Sequence, residues 1–285
     1  MIVLIAGAGA LPGIVARQVF DSGRSVRVYA LDGVPVDLDI DVPVRRFRIE
    51  RLGSLLAELG RIGAREVCFA GAVSRPAIEM DMIDDATRPL MEQIGAALRA
   101  GDDGALRVIL GLFERAGLRV LGVQDVAPDL LLGPGVPTVA GPNDRDGVNA
   151  ARGAAIVAAM GVADLGQSCV IADCQALAVE ALPGTNWMLQ SLQAGSAPAL
   201  SATMPAQPAL KALLQRGLFY KGPKPDQDRR VDLPTIGRET VERVAALGLR
   251  GLVIEAGGVI VLDRDTVIQR CDTDGLFLWA RQSAP

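Results

Sequence analysis

The segment Lys221-Gly222-Pro223-Lys224-Pro225-Asp226-Gln227-Asp228-Arg229-Arg230-Val231-Asp232-Leu233-Pro234-Thr235 gathers the side chains best suited to chemistry. Seven of the twelve residues from 221 to 232 are charged, and two of the protein's three lysines lie here, Lys211 being the third. Pro223 and Pro225 fix φ and narrow the conformations of the loop. Ammonium, guanidinium and carboxylate groups on a stiffened loop suit a polyphosphate and a hard divalent cation, because Lys and Arg neutralise phosphate oxygens while carboxylates hold the ion. A charge run is ordinarily a solvated face, but the concentration of lysines favours a functional loop. Within it, Asp226 and Asp228 read as the solvated members.

Three further segments carry candidate chemistry. Gly7-Ala8-Gly9-Ala10-Leu11-Pro12-Gly13 lies between an apolar run and a helical pattern, where glycines let backbone N–H groups approach a phosphate at a helix N-terminus. Asp32, near the end of the second apolar run, stands where a ribose-binding acid sits in a dinucleotide fold, but Pro12 occupies a position that G-x-G-x-x-G reserves for glycine. Ala70-Gly71-Ala72-Val73-Ser74-Arg75-Pro76 again follows a strand, and Arg75 can clamp a phosphate or sit in a solvated turn. In Gly101-Asp102-Asp103, an aspartate caps the next helix or helps hold a cation.

The chain has no histidine among its 285 residues. Ser-His-Asp triads, Cys-His pairs, histidine bases and histidine-ligated metals are therefore excluded. Acid–base chemistry falls to carboxylates, Lys, Cys, Tyr or metal-bound water. Cys68, Cys169, Cys174 and Cys271 form no CxxC pair, which argues against zinc and thioredoxin-like sites. Cys68, inside Val67-Cys68-Phe69-Ala70, reads as a buried free thiol. A net charge of −4 and the lack of a basic stripe argue against nucleic acid as a partner. Reduced cysteines suit a cytoplasm. Met1 to Gly9 lacks the basic n-region and cleavage site of a signal peptide. The uncharged stretch Ala181–Leu210 is interrupted by four prolines, so no membrane span is expected.

Apolar residues make up 50% of the chain and aromatic residues 4%, so the core must be built of Ala, Val, Leu and Ile. That composition favours helices packed on parallel strands. Strands are expected at 2–6, 25–31, 66–70 and 118–123, alternating with helices at 12–21, 52–59, 87–99 and 103–116. The rhythm predicts an α/β fold whose N-terminal domain, 1–130, holds a parallel sheet. A Gly/Pro-rich linker spans 131–148, and a distinct α/β domain spans 149–285. In that second domain, 169–171 and 176–181 read as paired strands, with a helix from Thr185, a strand at 217–220 and a helix at 238–247. Leu252–Glu255 and Val259–Leu262 flank Ala256-Gly257-Gly258, which predicts a hairpin. A helix from Asp263 and a strand at 276–279 complete the reading.

With these segments in view, the sequence resembles the LpxI family, the UDP-2,3-diacylglucosamine pyrophosphatases of lipid A biosynthesis. The resemblance runs through Ile5-Ala6-Gly7-Ala8-Gly9-Ala10-Leu11-Pro12, Phe69 to Pro76, Gly101-Asp102-Asp103 and Leu177-Ala178-Val179-Glu180. It continues through Gly184-Thr185-Asn186, Lys221 to Gly237 and Glu255-Ala256-Gly257-Gly258. It implies a Rossmann-like N-terminal domain, a separate α/β catalytic domain and a product site between them. It also implies Mg2+-dependent hydrolysis, with Mn2+ as the alternative ion, that yields UMP and 2,3-diacylglucosamine 1-phosphate (lipid X). Asp232 matches the family's essential aspartate, which binds the metal or positions water. Gly9, Ala10, Ser74, Arg75 and Asp103 would face the ligand from the N-terminal domain. Gln167, Thr185, Asn186, Lys221, Lys224, Arg230 and Thr235 would do so from the second half, with Lys221, Lys224 and Arg230 neutralising the diphosphate. The expected enzyme is cytoplasmic and peripheral to the inner membrane, acts on a lipid-linked nucleotide sugar, and has its homo-oligomeric state left open. Two departures stand out: Asn186 replaces the family's aspartate, and Gln190-Ser191 replaces a basic pair. An NAD-dependent oxidoreductase and a non-catalytic UDP-sugar or lipid-binding protein remain the alternatives.

Overall fold

A computed structural model of the protein describes residues 1–73, 76–99, 102–194 and 207–282. The chain divides into two units, Met1–Asp129 with Asp228–Asp232, and Leu130–Gln227 with Leu233–Pro285.

The first unit is built on a five-stranded sheet in the order β3-β2-β1-β4-β5, parallel throughout. β1 (Ile2–Ala6) is buried along its whole length, as a central parallel strand covered on both faces must be. β2 (Val26–Leu31), β4 (Glu66–Ala70) and β5 (Arg119–Leu121) follow the expected apolar runs. β3 (Val44–Phe47) was not expected. Its sequence, Val-Arg-Arg-Phe, gives a short edge strand whose arginines stay exposed, so no apolar run marks it. α1 (Leu11–Asp21) opens with Pro12 in its first turn and is followed by Gly23 at φ +74°. α2 (Leu52–Arg61), α3 (Met91–Arg99) and α4 (Asp102–Arg115) complete the main helices, and Leu52, Leu59, Ile94, Leu110 and Phe113 pack on Val3, Tyr29 and Val67. A short helix, α5 (Val123–Val126), begins where the last strand was expected to continue.

The second unit holds a mixed sheet in the order β12-β10-β8-β6-β7. β8 (Leu218–Lys221), β10 (Gly251–Glu255) and β12 (Phe277–Arg281) are parallel, whereas β6 (Ser168–Ala172) runs antiparallel to β8 and to β7 (Gln175–Val179). Alternate side chains of these strands feed two cores. Cys169, Ile171, Leu218, Tyr220, Val253 and Phe277 meet Ala150 and Val157 of α6 (Asp144–Val162). Val170, Phe219, Leu252, Ile254 and Leu278 meet α7 (Gly184–Ala194), α8 (Gln207–Leu214), α9 (Arg238–Ala246) and α10 (Arg264–Thr273). α6 starts five residues before the expected Asn149. Asn143 and Asp146, which look like linker polarity in the sequence, form its capping box.

The hairpin expected around Ala256-Gly257-Gly258 does not form. β10 already has β8 on one edge and β12 on the other, so no edge is left for the following strand. β11 (Ile260–Val261) pairs instead with β9 (Thr235–Ile236), in parallel. The glycines still make a turn, in which Gly258 N–H donates to Glu255 O at 3.1 Å.

Candidate active site

In the first unit the sheet order reverses between β1 and β4, and ligands of such sheets bind beyond the carboxyl ends of the strands at that switch. Both glycine segments picked out in the sequence stand there. Gly7 N–H donates to Ala70 O (2.7 Å), Ala8 N–H to Ala72 O (2.7 Å) and Ala72 N–H to Ala8 O (3.0 Å). The approach is so close that a Cβ on Gly7 would lie 2.5 Å from the Gly71 carbonyl carbon. The amides of Gly7 and Ala8 are thus turned to the neighbouring loop. Gly9, at φ +94°, and Ala10 follow as exposed residues at the start of α1. Ser74 and Arg75 lie outside the described residues, as does the side chain of Asp103, whose backbone is in the first turn of α4.

In the second unit β8 delivers Lys221 to the carboxyl end of the parallel strands. Its side chain is only 8% exposed, and a buried ammonium needs oxygen partners. Lys221 Nζ donates to Thr185 Oγ1 at 2.7 Å. Thr185 Oγ1 lies 2.9 Å from Glu180 Oε1. Ser168 Oγ donates to Glu180 Oε2 at 2.7 Å, and Gln167 N–H to the same oxygen at 3.2 Å. Gln167 O accepts from Gly222 N–H at 3.1 Å. Gln167 Oε1 is buried without a hydrogen-bond partner. Three predicted residues, Lys221, Thr185 and Gln167, are therefore linked around Glu180, and Asn186 follows Thr185 in the first turn of α7.

Lys224 is buried too. Its Nζ lies 2.5 Å from Asp164 Oδ1, just past the C-terminus of α6, where a cation is favourable. Asp164 holds a left-handed φ of +49° to make that contact. Gln227 Oε1 accepts from Lys224 N–H at 2.9 Å, and Gln227 N–H donates to Lys224 O at 3.2 Å. Gly161 leaves room for the loop, since a Cβ there would sit 2.6 Å from Pro225 Cδ. This half of the charged run is an anchored structure rather than a solvated face.

The other half, Asp228–Asp232, counts with the first unit. Val231 N–H and Asp232 N–H both donate to Asp228 O, at 3.1 and 3.2 Å, closing a turn. Arg230 reaches Asp228 through Nε (2.9 Å) and Nη2 (2.7 Å), and Glu114 through Nη1 (2.6 Å). Asp228 is thus not the solvated carboxylate expected from the sequence: it organises the turn that carries Asp232. The Arg230 guanidinium holds the Asp228 carboxyl below the usual carboxylate range. Arg230 itself serves two carboxylates.

The remaining predicted residues are simpler. Thr235 starts β9, with Oγ1 3.4 Å from Leu233 O. Asn186 is exposed and its side chain hydrogen-bonds Glu239, whose carboxyl is held low first by Arg243 and then by Asn186. Glu180, Ser168, Asp164 and Glu114 were not singled out as chemical residues. Only Glu180 carries a sequence signal, inside Leu177-Ala178-Val179-Glu180. The partnerships of the others span 12 to 116 positions.

Burial narrows the acid–base candidates. It pushes the thiols of Cys68, Cys169 and Cys271 up to about 12, and the Tyr220 hydroxyl up to about 12 with help from the Glu255 charge. All four keep their protons at neutral pH, so none of them serves as a base there.

Residues 1–130 match the LpxI N-terminal domain, and residues 133–279 match the LpxI C-terminal domain. The chain belongs to the LpxI family. A relative from Caulobacter vibrioides, UDP-2,3-diacylglucosamine pyrophosphatase LpxI, is 35% identical over 276 residues, which cover 96% of this chain and 95% of the relative. The LpxI match thus takes in the zipped glycine loops, the Lys221 and Lys224 network and the Asp228–Asp232 turn.

Proposed function

We propose that the chain hydrolyses the pyrophosphate bond of UDP-2,3-diacylglucosamine, giving UMP and 2,3-diacylglucosamine 1-phosphate. The observation that carries this reading is the family match over both halves, joined by a relative named for that activity. Water attacks the sugar-side phosphorus, the new P–O bond forms there, and the bond to the bridging oxygen breaks as UMP leaves. Asp232 positions the water or the metal. Lys221 offsets charge growing on the diphosphate oxygens, where a desolvated ammonium acts strongly. Arg230 and Lys224, each held by carboxylates, contribute mainly by shaping the loop.

The cofactor in this reading is Mg2+, with Mn2+ as a substitute. Among the described residues no three Cys, Asp or Glu side chains converge as a metal nest. In this reading Asp232 would hold the ion together with oxygens of the substrate's phosphates and water. When bound, the ion neutralises charge on the phosphoryl oxygens.

The same reading puts the enzyme in the cytoplasm, at the inner-membrane surface that holds its acylated substrate. Among the described residues no helix is long and apolar enough to cross a membrane. Leu182 is 96% exposed and Trp187 57%, and this apolar surface on either side of Thr185 supports peripheral contact. The test is incubation with UDP-2,3-diacylglucosamine in vesicles with Mg2+, assayed for UMP. Release of UMP is expected, and folded protein that releases none would overturn the proposal.

A further inference from the structure

Glu180 follows β7 directly, and its carboxylate is fixed from several sides. Its backbone N–H donates to Ser168 O at 2.9 Å, which extends the strand pairing by one residue. Gly166 wraps its stem so closely that a Cβ there would meet Glu180 Cβ and Cγ at 2.5 Å. One carboxylate oxygen accepts from Ser168 Oγ and Gln167 N–H, and the other faces Thr185 Oγ1.

The chemistry of the groups gives this chain of bonds a direction. An ammonium only donates and an ionised carboxylate only accepts. The Thr185 hydroxyl, placed between them, accepts from Lys221 Nζ and gives its hydrogen to Glu180 Oε1. The hydroxyl is thus oriented by Glu180, and its lone pair is presented to Lys221.

We propose that Glu180 is a positioning residue for Lys221, acting through the hydroxyl of Thr185. The carboxylate anchored on β6 fixes the hydroxyl rotor, and the rotor fixes the ammonium at the end of β8. The geometric part stands on these bonds alone, while its consequence for turnover rests on the proposed hydrolysis. Glu180→Gln preserves size but offers one acceptor oxygen to three donors, so one donor must face an amide NH2. Thr185→Val removes the rotor, and Thr185→Ser keeps it.

The scarcity of lysine makes a direct test practical. Native protein is treated briefly with an amine-acylating reagent, and modification is read by mass spectrometry at Lys211, Lys221 and Lys224. Lys211 is exposed and serves as the internal reference. Lys224, held by Asp164, reports general loosening of the second unit. In Glu180→Gln and Thr185→Val, Lys221 should be modified about five-fold faster or more, the scale expected when hydrogen-bonded neighbours are coupled. Lys224 should stay within about two-fold, since Asp164 holds it 2.5 Å away. Thr185→Ser should behave as wild type. Unchanged Lys221 reactivity in Glu180→Gln would overturn the proposal, and so would a parallel rise at Lys224.

Kinetics then test the consequence. Glu180→Gln should lower kcat for UMP release by about ten-fold with little change in KM, and should add almost nothing to Lys221→Met. Losses that multiply in the double variant would overturn the link to catalysis. A wild-type protein that releases no UMP would instead sink the hydrolase reading, leaving the acylation result to decide the positioning role.

Discussion

Asp232 sits at the end of a turn whose hydrogen bonds converge on Asp228, and this changes what each aspartate of the run should do. Asp228 O accepts from the amides of Val231 and Asp232, while its carboxylate holds Arg230. Asp228→Ala should therefore lower turnover by about five- to ten-fold through displacement of Asp232, a loss in the range of a broken hydrogen-bonded ion pair. Asp226→Ala should cost least of the three, and kcat measured for both variants beside wild type checks the order. Wild-type turnover in Asp228→Ala would separate the turn from catalysis. Thiol chemistry tests burial at the same scale. Cys68, Cys169 and Cys271 hold their protons to about pH 12, whereas Cys174 is exposed. Iodoacetamide at pH 8 should thus alkylate Cys174 in native protein and reach the other three only after denaturation, as peptide mapping would show. The buried state of Cys68 was legible from its apolar neighbours. The role of Asp228 was not, because it depends on Arg230, which also binds Glu114 116 positions away.

Elements were legible where periodicity is strong and hidden where pairing is decided elsewhere. The apolar runs of β1, β4 and β8 announce buried parallel strands, and each forms within about a residue of its expected span. β3 has no such run, and the hairpin around Gly257 fails because both edges of β10 are occupied by strands distant in sequence. Local glycine chemistry was read correctly as a turn, but not the partner of the strand after it. α6 shows how tightly these elements pack. A Cβ on Gly153 would come within 2.7 Å of Tyr220 Cβ and 2.9 Å of Ile171 Cδ1, so the helix rests directly on β6 and β8. Gly153→Ala should destabilise the protein by ~1–3 kcal/mol through overpacking, despite alanine's better helix propensity. A lower midpoint in thermal or urea unfolding is the expected result. An unchanged or raised midpoint would mean that α6 moves away from the sheet without cost.

At the scale of the whole molecule, the α/β architecture follows from composition and rhythm, and family membership spans nearly the entire chain. What composition could not reveal is that residues 228–232 pack with the first unit, where Val231 joins its core. In the proposed function the chemistry falls to oxygen ligands, since the chain has no histidine and the described buried thiols stay protonated. Turnover should accordingly vanish in EDTA and return with Mg2+ or Mn2+ but not with chelator-saturated buffer. Full turnover in metal-free buffer would refute the metal's part. The most direct measurement of the central claim compares UMP release from UDP-2,3-diacylglucosamine by wild type and Asp232→Ala, with substrate affinity measured on the same samples. The account predicts steady UMP release by wild type, and in the variant a fall in kcat of roughly 10²-fold or more with affinity largely kept, because the carboxylate acts where charge develops at phosphorus. Near wild-type turnover in a folded Asp232→Ala protein would contradict it.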